Sequence, residues 1–282
     1  MNVLVFGKTG QVASELMRYE GVICLGRDEA DLNNVEACKA IILSTNADVV
    51  INAAAYTSVD SAENDYETAN IVNSDTPAVM AAATAERGIP FVHISTDYVF
   101  DGLGCLPFKT TDIPNPQSIY GKSKLNGENG IVTSGCVYAI LRTSWVFSEN
   151  GENFVKTMIN LASQHDIINI VSDQVGGPTP AYDIASACMK IANILLNDAN
   201  AAGIYHLSGK PDVSWADFAR EIFHQSKLDT CVKNISTSDY PTFAIRPLNS
   251  RLNCSTTETV FGIERPDWRK GLATVIKNLK VK

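Results

Sequence analysis

The chain has 282 residues, of which 45% are hydrophobic and 19% charged, and its formal net charge is −8 at pH 7. That composition predicts one large globular domain or two unequal ones. The acidic balance disfavours nucleic acid and anionic membranes as partners, and no apolar run approaches the ~20 residues that a membrane span requires.

The cysteines and the first residues of the chain indicate a cytoplasmic protein. The seven cysteines form no C-x-x-C pair, so we interpret them as reduced thiols packed as small hydrophobes. Met1 leads directly into a strand-like run without a signal-peptide pattern.

Strand-like and helix-like segments alternate along the first half of the chain. Because the strand segments are apolar on both faces, they predict an α/β fold with a doubly wound, parallel, Rossmann-type sheet. Its ligands are expected beyond the carboxyl ends of the strands. The strands are expected at 3–6, 22–25, 49–53, 91–95 and 138–142, and the helices at 11–19, 35–44, 68–87 and 118–132.

The alternation weakens after about residue 150, where strand candidates persist only at 167–171 and 204–207 among proline-rich loops. We therefore predict a dinucleotide-binding domain over residues 1–150 and a smaller, partly interleaved substrate-binding part over 151–282. Segments within about 165–200 are expected to return to the larger sheet.

The segment Gly7-Lys8-Thr9-Gly10-Gln11-Val12-Ala13 follows the first strand and opens a helix. Glycine permits a tight turn and a close backbone approach to a pyrophosphate, and the first helical N–H groups favour that anion. The spacing G-x-x-G-x-x-A predicts a dinucleotide site that includes Gly7, Gly10, Gln11 and Val12. A plain strand-to-helix turn is the alternative.

The other end of the dinucleotide is expected near the second and third strands. Arg27 could meet the 2′-phosphate of NADPH, or Asp28 could hold the hydroxyl of NADH, unless both are solvated loop charges. Asp31 and Leu32 are expected at the adenine edge. Small residues after the third strand leave room for ribose, and the predicted contacts there are Ala53, Ala54, Ala55 and Tyr56.

Thr96 ends the fourth predicted strand, and Tyr120 and Lys124 lie four residues apart on one face of a helix. Ketone reduction requires a proton donor for the developing alkoxide, and a lysine ammonium nearby would lower the pKa of a tyrosine from its usual value near 10. Thr96 could hydrogen-bond the substrate oxygen. A surface Tyr–Lys pair and a capping threonine are the alternatives.

These motifs resemble the dTDP-4-dehydrorhamnose reductases of the extended short-chain dehydrogenase/reductase family. The resemblance covers nearly the whole chain, and its segments are residues 7–11, 48–57, 95–102, 120–124, 142–147, 173–179 and 246–250. It implies hydride transfer from NADPH or NADH to the 4-keto group of a nucleotide-activated deoxysugar, with Thr96, Tyr120 and Lys124 as catalytic residues.

The resemblance also implies a substrate site, at which Trp145 would pack on the sugar ring. A core aromatic is the alternative for Trp145, and a surface ion pair is the alternative for Arg246, which is the candidate for the diphosphate. The expected substrate contacts are Thr96, Asp97, Tyr98, Trp145, Asn153, Gln174 and Arg246.

Some relatives are described as dimers bridged by a metal between glutamates. Glu15 is present, but Tyr182 stands where another glutamate is expected, so we predict no metal and leave monomer and homodimer open. An epimerase, a dehydratase, a reductase of another activated deoxysugar and a non-catalytic NADP-binding regulatory subunit also stay open. Tyr98 in place of a glutamate after Asp97 argues against the dehydratase.

Overall fold

The computed structural model describes residues 1–281. Strands and helices alternate through the first part of the chain, as its pattern predicts. The strands are β1 (Val3–Phe6), β2 (Val22–Leu25), β3 (Val49–Asn52), β4 (Phe91–Thr96) and β5 (Tyr138–Thr143), and the helices are α1 (Gln11–Leu16), α2 (Val35–Ser44), α3 (Val59–Ala62), α4 (Tyr66–Asn70), α5 (Thr76–Arg87) and α6 (Ile119–Thr133).

The second part of the chain has shorter strands and longer connections. Its strands are β6 (Val146–Phe147), β7 (Ile167–Val171), β8 (Val175–Gly176), β9 (Thr179–Pro180), β10 (Gly203–Leu207), β11 (Val213–Ser214), β12 (Cys231–Ile235) and β13 (Asn249–Ser250), and its helices are α7 (Phe154–Ala162), α8 (Ala181–Asn197), α9 (Trp215–Ser226), α10 (Ser255–Phe261) and α11 (Trp268–Val281).

Six parallel strands form the central sheet, in the order β10-β5-β4-β3-β1-β2. Helices α1 and α8 pack on one face, and α2, α5 and α6 pack on the other. The strands are apolar on both faces because both faces are covered. This arrangement confirms the predicted doubly wound Rossmann-type fold. The strand order reverses between β1 and β3, which is where such sheets bind ligands.

A second core lies beyond this sheet. It contains α7, α9 and α11 together with β7, which pairs in parallel with β12. Trp268, Phe218 and Phe147 are among its fully buried side chains. Within 165–200, β7 therefore belongs to the second core, whereas α8 packs against the large sheet. That residues 1–150 bind the dinucleotide and residues 151–282 the substrate stays a prediction.

The single helix expected over 68–87 is interrupted. Helices α4 and α5 are joined by a π-helical turn over Ile71–Asp75. Pro77, near the start of α5, has no N–H and disfavours a helical conformation in the residue before it, so the regular hydrogen-bond ladder is disturbed here. Such turns concentrate at functional sites.

Helix α6 approaches the backbone beneath it without intervening side chains. A Cβ at Gly121 would overlap the carbonyl oxygen of Tyr98, and a Cβ at Gly127 would overlap that of Asn73 in the π turn. Both contacts are with backbone, which cannot swing aside as a flexible side chain can. The glycines therefore fix how deeply α6 lies on the molecule.

We expect Gly127→Ala to lower the free energy of unfolding by about 1–3 kcal/mol, because the new methyl group forces α6 away from Asn73. Asn126→Ala, at an exposed position of the same helix, is the control and should be neutral or slightly stabilising. Urea denaturation measures both. A Gly127→Ala protein as stable as the parent would contradict the close approach, since alanine otherwise favours a helix over glycine.

Candidate active site

A cleft of about 740 Å³ opens at the carboxyl ends of the central strands. It extends from the glycine turn after β1, past the end of β3, to the ends of β4 and β5. Trp215, at the start of α9 in the second core, closes its far side. The volume lies within the range of small-molecule and cofactor sites.

The glycine turn packs directly against the end of β3. Gly7 has φ of +117°, which disfavours any residue with a side chain, and a Cβ there would lie 2.9 Å from the amide nitrogen of Ala54. Gly10 N donates to Gly7 O at 2.9 Å and closes the turn. The turn therefore presents backbone to the cleft, as a dinucleotide pyrophosphate requires. Gly7, Gly10, Gln11, Val12, Ala53, Ala54 and Ala55 all line the cleft.

Charged residues surround the β2 end of the cleft. Lys8 and Glu29 form an ion pair at 3.1 Å, and Glu29 also accepts a hydrogen bond from Gly26 N at 3.0 Å. Arg27 is 79% exposed and reaches Asp31 only at 4.0 Å, so its guanidinium is available to an anion. Arg27, Asp31 and Leu32 line the cleft.

Tyr120 lies in the first turn of α6, where Ser118 caps the helix by accepting a hydrogen bond from Gly121 N at 3.1 Å. The Thr96 hydroxyl donates to Asp97 at 3.1 Å and accepts from Tyr98 N at 3.2 Å. Thr96 therefore caps the short 3-10 helix Asp97–Val99 and also lines the cleft. Burial raises the pKa of Asp97 to about 6, against the hydrogen bond from Thr96 that lowers it.

Lys124 is 1% exposed, and its amino group is held by two neighbours on β4. Nζ donates to the carbonyl oxygen of Ile94 at 2.8 Å and lies 2.9 Å from Nε2 of His93. Burial lowers the pKa of Lys124 to about 8, although the Glu128 carboxylate raises it.

The expected lowering of the tyrosine pKa by lysine is not observed in this structure. Burial raises the pKa of Tyr120 well above its usual value; the hydrogen bond with Thr96 lowers it, and the charges of Asp97 and Tyr98 raise it further. The sequence suggested the helical spacing of Tyr120 and Lys124, but it did not indicate that His93 and Ile94 bind the lysine.

Trp145 follows β5 in a left-handed conformation, with φ of +49°, which is strained for a bulky residue. Its indole stacks on that of Trp215, with ring centroids 3.6 Å apart and an interplanar angle of 11°. Part of the surface that we expected to contact a sugar is therefore covered. Trp215 was not predicted as a site residue, because its partner lies 70 positions away in sequence.

Arg246 is not among the residues that line the cleft in the described part of the chain, residues 1–281. Its guanidinium forms an ion pair with Asp60 and donates to the Tyr98 hydroxyl at 3.2 Å. The ion-pair alternative therefore describes Arg246 in this structure, with Asp60 as the partner. Tyr98 in turn packs edge-on against Tyr120, with ring centroids 5.5 Å apart.

Three other predicted contacts also lie outside the lining of the cleft in the described part of the chain. Asn153 caps α7 and donates to Gln11 at 3.1 Å, so it supports a cleft residue instead of facing the cleft. Gln174 is buried against Thr237, to which it donates at 3.1 Å. Tyr56 is held through its backbone by the Asn73 amide.

The π turn explains how the loop after β3 is tied to α6. Asn73 is fully buried and bonds both backbone groups of Tyr56, at 2.8 and 3.1 Å. Its amide also donates to Ser123 of α6 at 3.1 Å. Asn73 belongs to none of the sequence motifs described above.

Among residues 1–281, no group of three or more His, Cys, Asp or Glu side chains is placed to hold a metal ion. The same part of the chain contains no helix with the length and apolar character needed to cross a membrane. The cysteines have no disulfide partner, and five of the seven are buried: Cys24, Cys38, Cys136, Cys188 and Cys254.

Comparison with known proteins identifies close relatives over nearly the full chain. The model of the family described as "RmlD substrate binding domain" matches residues 1–281. A dTDP-4-dehydrorhamnose reductase of Aggregatibacter actinomycetemcomitans is 42% identical over 97% of this chain and 97% of its own length.

Two solved structures have the same architecture. A dTDP-4-dehydrorhamnose reductase of Clostridium acetobutylicum superposes with a TM-score of 0.93 at 38% identity, over 99% of this chain and 100% of that one. A dTDP-4-dehydrorhamnose reductase of Bacillus anthracis, in complex with NADP, gives a TM-score of 0.90 at 31% identity over 99% and 100%.

We expect Gly7→Ala to weaken NADPH binding at least about tenfold, because the methyl group would press on Ala54 in a left-handed conformation that alanine adopts poorly. Fluorescence titration with NADPH measures the effect. Gly135→Ala is the matched control, since Gly135 also has a positive φ but open space around it. Equal losses of affinity in both variants would mean that the turn does not hold the dinucleotide.

Proposed function

Since this chain belongs to the family described as RmlD substrate binding domain, we propose that it is an NAD(P)H-dependent dTDP-4-dehydrorhamnose reductase. It would reduce the 4-keto group of dTDP-4-dehydro-L-rhamnose to dTDP-L-rhamnose, a precursor of surface polysaccharide. The observation that carries the proposal is that Thr96, Tyr120 and Lys124 line the same cleft as the glycine turn of a Rossmann-type sheet.

The residues of the cleft fit a nicotinamide dinucleotide. The backbone of Gly7 to Val12 would hold the pyrophosphate, because a Cβ at Gly7 would fill the turn. Arg27 would meet the adenosine ribose, Asp31 and Leu32 would lie at the adenine edge, and Ala53 to Ala55 would form another part of the wall. Arg27 suits the 2′-phosphate of NADPH, whereas Asp28, the candidate for the hydroxyl of NADH, is not among the described residues that line the cleft. The bound cofactor supplies the hydride for the keto carbon.

Tyr120 would donate the proton that the reduced oxygen needs. Its phenol lies beside Thr96, whose hydroxyl is oriented by Asp97 and by the backbone N–H of Tyr98. Burial raises the pKa of Tyr120 in this structure and the Thr96 hydrogen bond lowers it, without a contribution from Lys124. We propose that a charged Lys124 lowers this pKa once cofactor and substrate fill the cleft. We therefore assign the general acid to Tyr120 and the electrostatic assistance to Lys124.

The substrate would enter between the end of β5 and the start of α9. Trp145 and Trp215 offer an apolar indole surface that suits one face of a sugar ring. Asp97 and Tyr98 line the cleft, and Arg246, which contacts the Tyr98 hydroxyl from outside that lining, could exchange Asp60 for a diphosphate oxygen. Asn153 and Gln174 would act through Gln11 and Thr237.

We infer a cytoplasmic enzyme, monomeric or homodimeric, without a nucleic-acid partner and without a metal. The acidic net charge of −8 supports the lack of nucleic acid, and the reduced cysteines support the compartment. The split between a cofactor part over 1–150 and a substrate part over 151–282 is proposed on the position of the glycine turn and of Trp215.

The direct test is oxidation of NADPH or NADH, followed at 340 nm, with dTDP-4-dehydro-L-rhamnose prepared in situ. We expect Tyr120→Phe to lower kcat by about 10²–10⁴-fold, because a positioned general acid contributes that much. Tyr66→Phe, at an exposed position of α4, is the matched control and should keep the parent rate.

A Tyr120→Phe variant that reduces the substrate as fast as the parent protein would contradict the role of Tyr120 as general acid. Tight NADPH binding without oxidation of the cofactor would overturn the rhamnose assignment. In that case other nucleotide-activated 4-keto sugars are the next substrates to assay.

A further inference from the structure

Three buried polar side chains form a line from the central sheet to α6. Asn52 ends β3, His93 lies on β4, and Lys124 lies on α6; the first two are fully buried and Lys124 is 1% exposed. The Asn52 amide nitrogen lies 3.2 Å from His93 Nδ1, and Lys124 Nζ lies 2.9 Å from His93 Nε2. The far end of Asn52 contacts the cleft wall, since its Oδ1 accepts a hydrogen bond from Ala54 N at 3.1 Å.

The bond from Ala54 fixes which way the Asn52 amide faces. Its oxygen is committed to the Ala54 N–H, so its NH₂ group points at His93 Nδ1. A neutral imidazole has one donor nitrogen and one acceptor nitrogen. Nδ1 must therefore accept, and the ring proton must lie on Nε2, facing Lys124. Only an uncharged amine has a lone pair to accept that proton.

A charged Lys124 requires the opposite arrangement. Its ammonium group has donors only, so Nε2 would accept and the ring proton would move to Nδ1. Two donors would then face each other between His93 and Asn52. Turning the amide over relieves that clash but places the NH₂ group against the Ala54 N–H, whose hydrogen bond is lost. Leaving a buried donor without an acceptor is destabilising.

We propose that His93 is a positioning residue that couples the charge on Lys124 to the orientation of the Asn52 amide, and through it to the Ala54 backbone in the cofactor wall. The coupling follows from the contacts alone. Its bearing on catalysis rests on the proposed function, in which a charged Lys124 assists Tyr120.

The other charged groups near Lys124 do not replace His93 as its hydrogen-bond partner. Glu128, one turn along α6, is bound by Arg142 of β5 at 2.6 Å and by Ser95 of β4 at 2.5 Å, so much of its charge is compensated. The Asp97 carboxyl acts on the pKa of Tyr120. Burial and the lysine charge hold the pKa of His93 well below its usual value, so the imidazole stays neutral while the lysine titrates.

Histidine tautomers are read directly from ¹⁵N chemical shifts, which gives a test that needs no substrate. The chain has four histidines, so a ¹⁵N-histidine sample gives a simple long-range ¹H–¹⁵N spectrum, and His93→Gln assigns the signal. Between pH 10 and pH 6 we expect His93 to change from the Nε2–H to the Nδ1–H tautomer without becoming imidazolium. The midpoint should lie near the pKa of Lys124, about 8.

Lys124→Met is the first control. It removes the charge, and Asn52 should then keep His93 in the Nε2–H form at every pH. A His93 signal that does not change with pH in the parent protein, or that changes equally in Lys124→Met, would overturn the proposal. Neither result bears on whether the protein reduces a sugar, so the two proposals fail separately.

Asn52→Asp tests the role of the amide. A carboxylate can accept from both His93 Nδ1–H and Ala54 N–H, so the charged lysine becomes fully compatible with its neighbours. The midpoint of the tautomer change should rise by at least about one pH unit. Asn126→Asp adds the same charge to the exposed side of α6 and should move it little. Equal shifts in the two variants would show a general charge effect and would refute the coupling.

Discussion

Helix α6 lies so close to the backbone beneath it that only glycine fits at two points of contact, and the position of the chemistry depends on that closeness. Gly121 faces the Tyr98 carbonyl and Gly127 faces the Asn73 carbonyl. Lys124 lies between these two contacts, and Tyr120 immediately precedes the first. Because both contacts are with main chain, backbone packing sets the position of α6 on the segment after β4 and on the π turn, with little dependence on side-chain rotamers.

The interior behind this helix carries more charge than a core usually does. The Glu128–Arg142 pair is almost fully buried and is balanced within itself. Among residues 1–281 Lys124 forms no ion pair with a carboxylate, and its hydrogen-bond neighbours are a carbonyl oxygen and a neutral imidazole. Burial without a carboxylate partner lowers the pKa of this lysine to about 8, so that it can change charge near neutral pH. Such a pKa suits a residue that takes part in proton transfer.

The alternation of strand-like and helix-like segments predicted the large sheet, because each strand is apolar on both faces and the helices have a helical period of apolar residues. The π turn at 71–75 was beyond such reasoning, since a helical period continues through it and only the Asn73 contacts reveal the shift. In the sequence, nothing distinguishes His93 from the other residues of a buried strand. Its importance depends on Asn52 and Lys124, which three separate elements bring together.

The far side of the site was harder to predict for a similar reason. Trp145 was identified through its motif, yet the stack with Trp215 depends on how the second core meets the sheet. Arg246 and Asp60 are 186 positions apart, so no spacing could indicate their ion pair. The glycine turn, by contrast, is complete within one short segment, and the position of that segment after β1 was enough to place it.

The path of the chain between the two cores limits how such a protein can change over evolutionary time. After β5 the chain enters the second core at α7 and β7, returns to the large sheet with α8 and β10, and leaves again with α9 and β12. It visits the sheet once more with α10 and ends in the second core with α11. No single cut frees the second core as one continuous piece. A single recombination event that replaced the second core would therefore also replace α8 and β10, which pack in and on the large sheet.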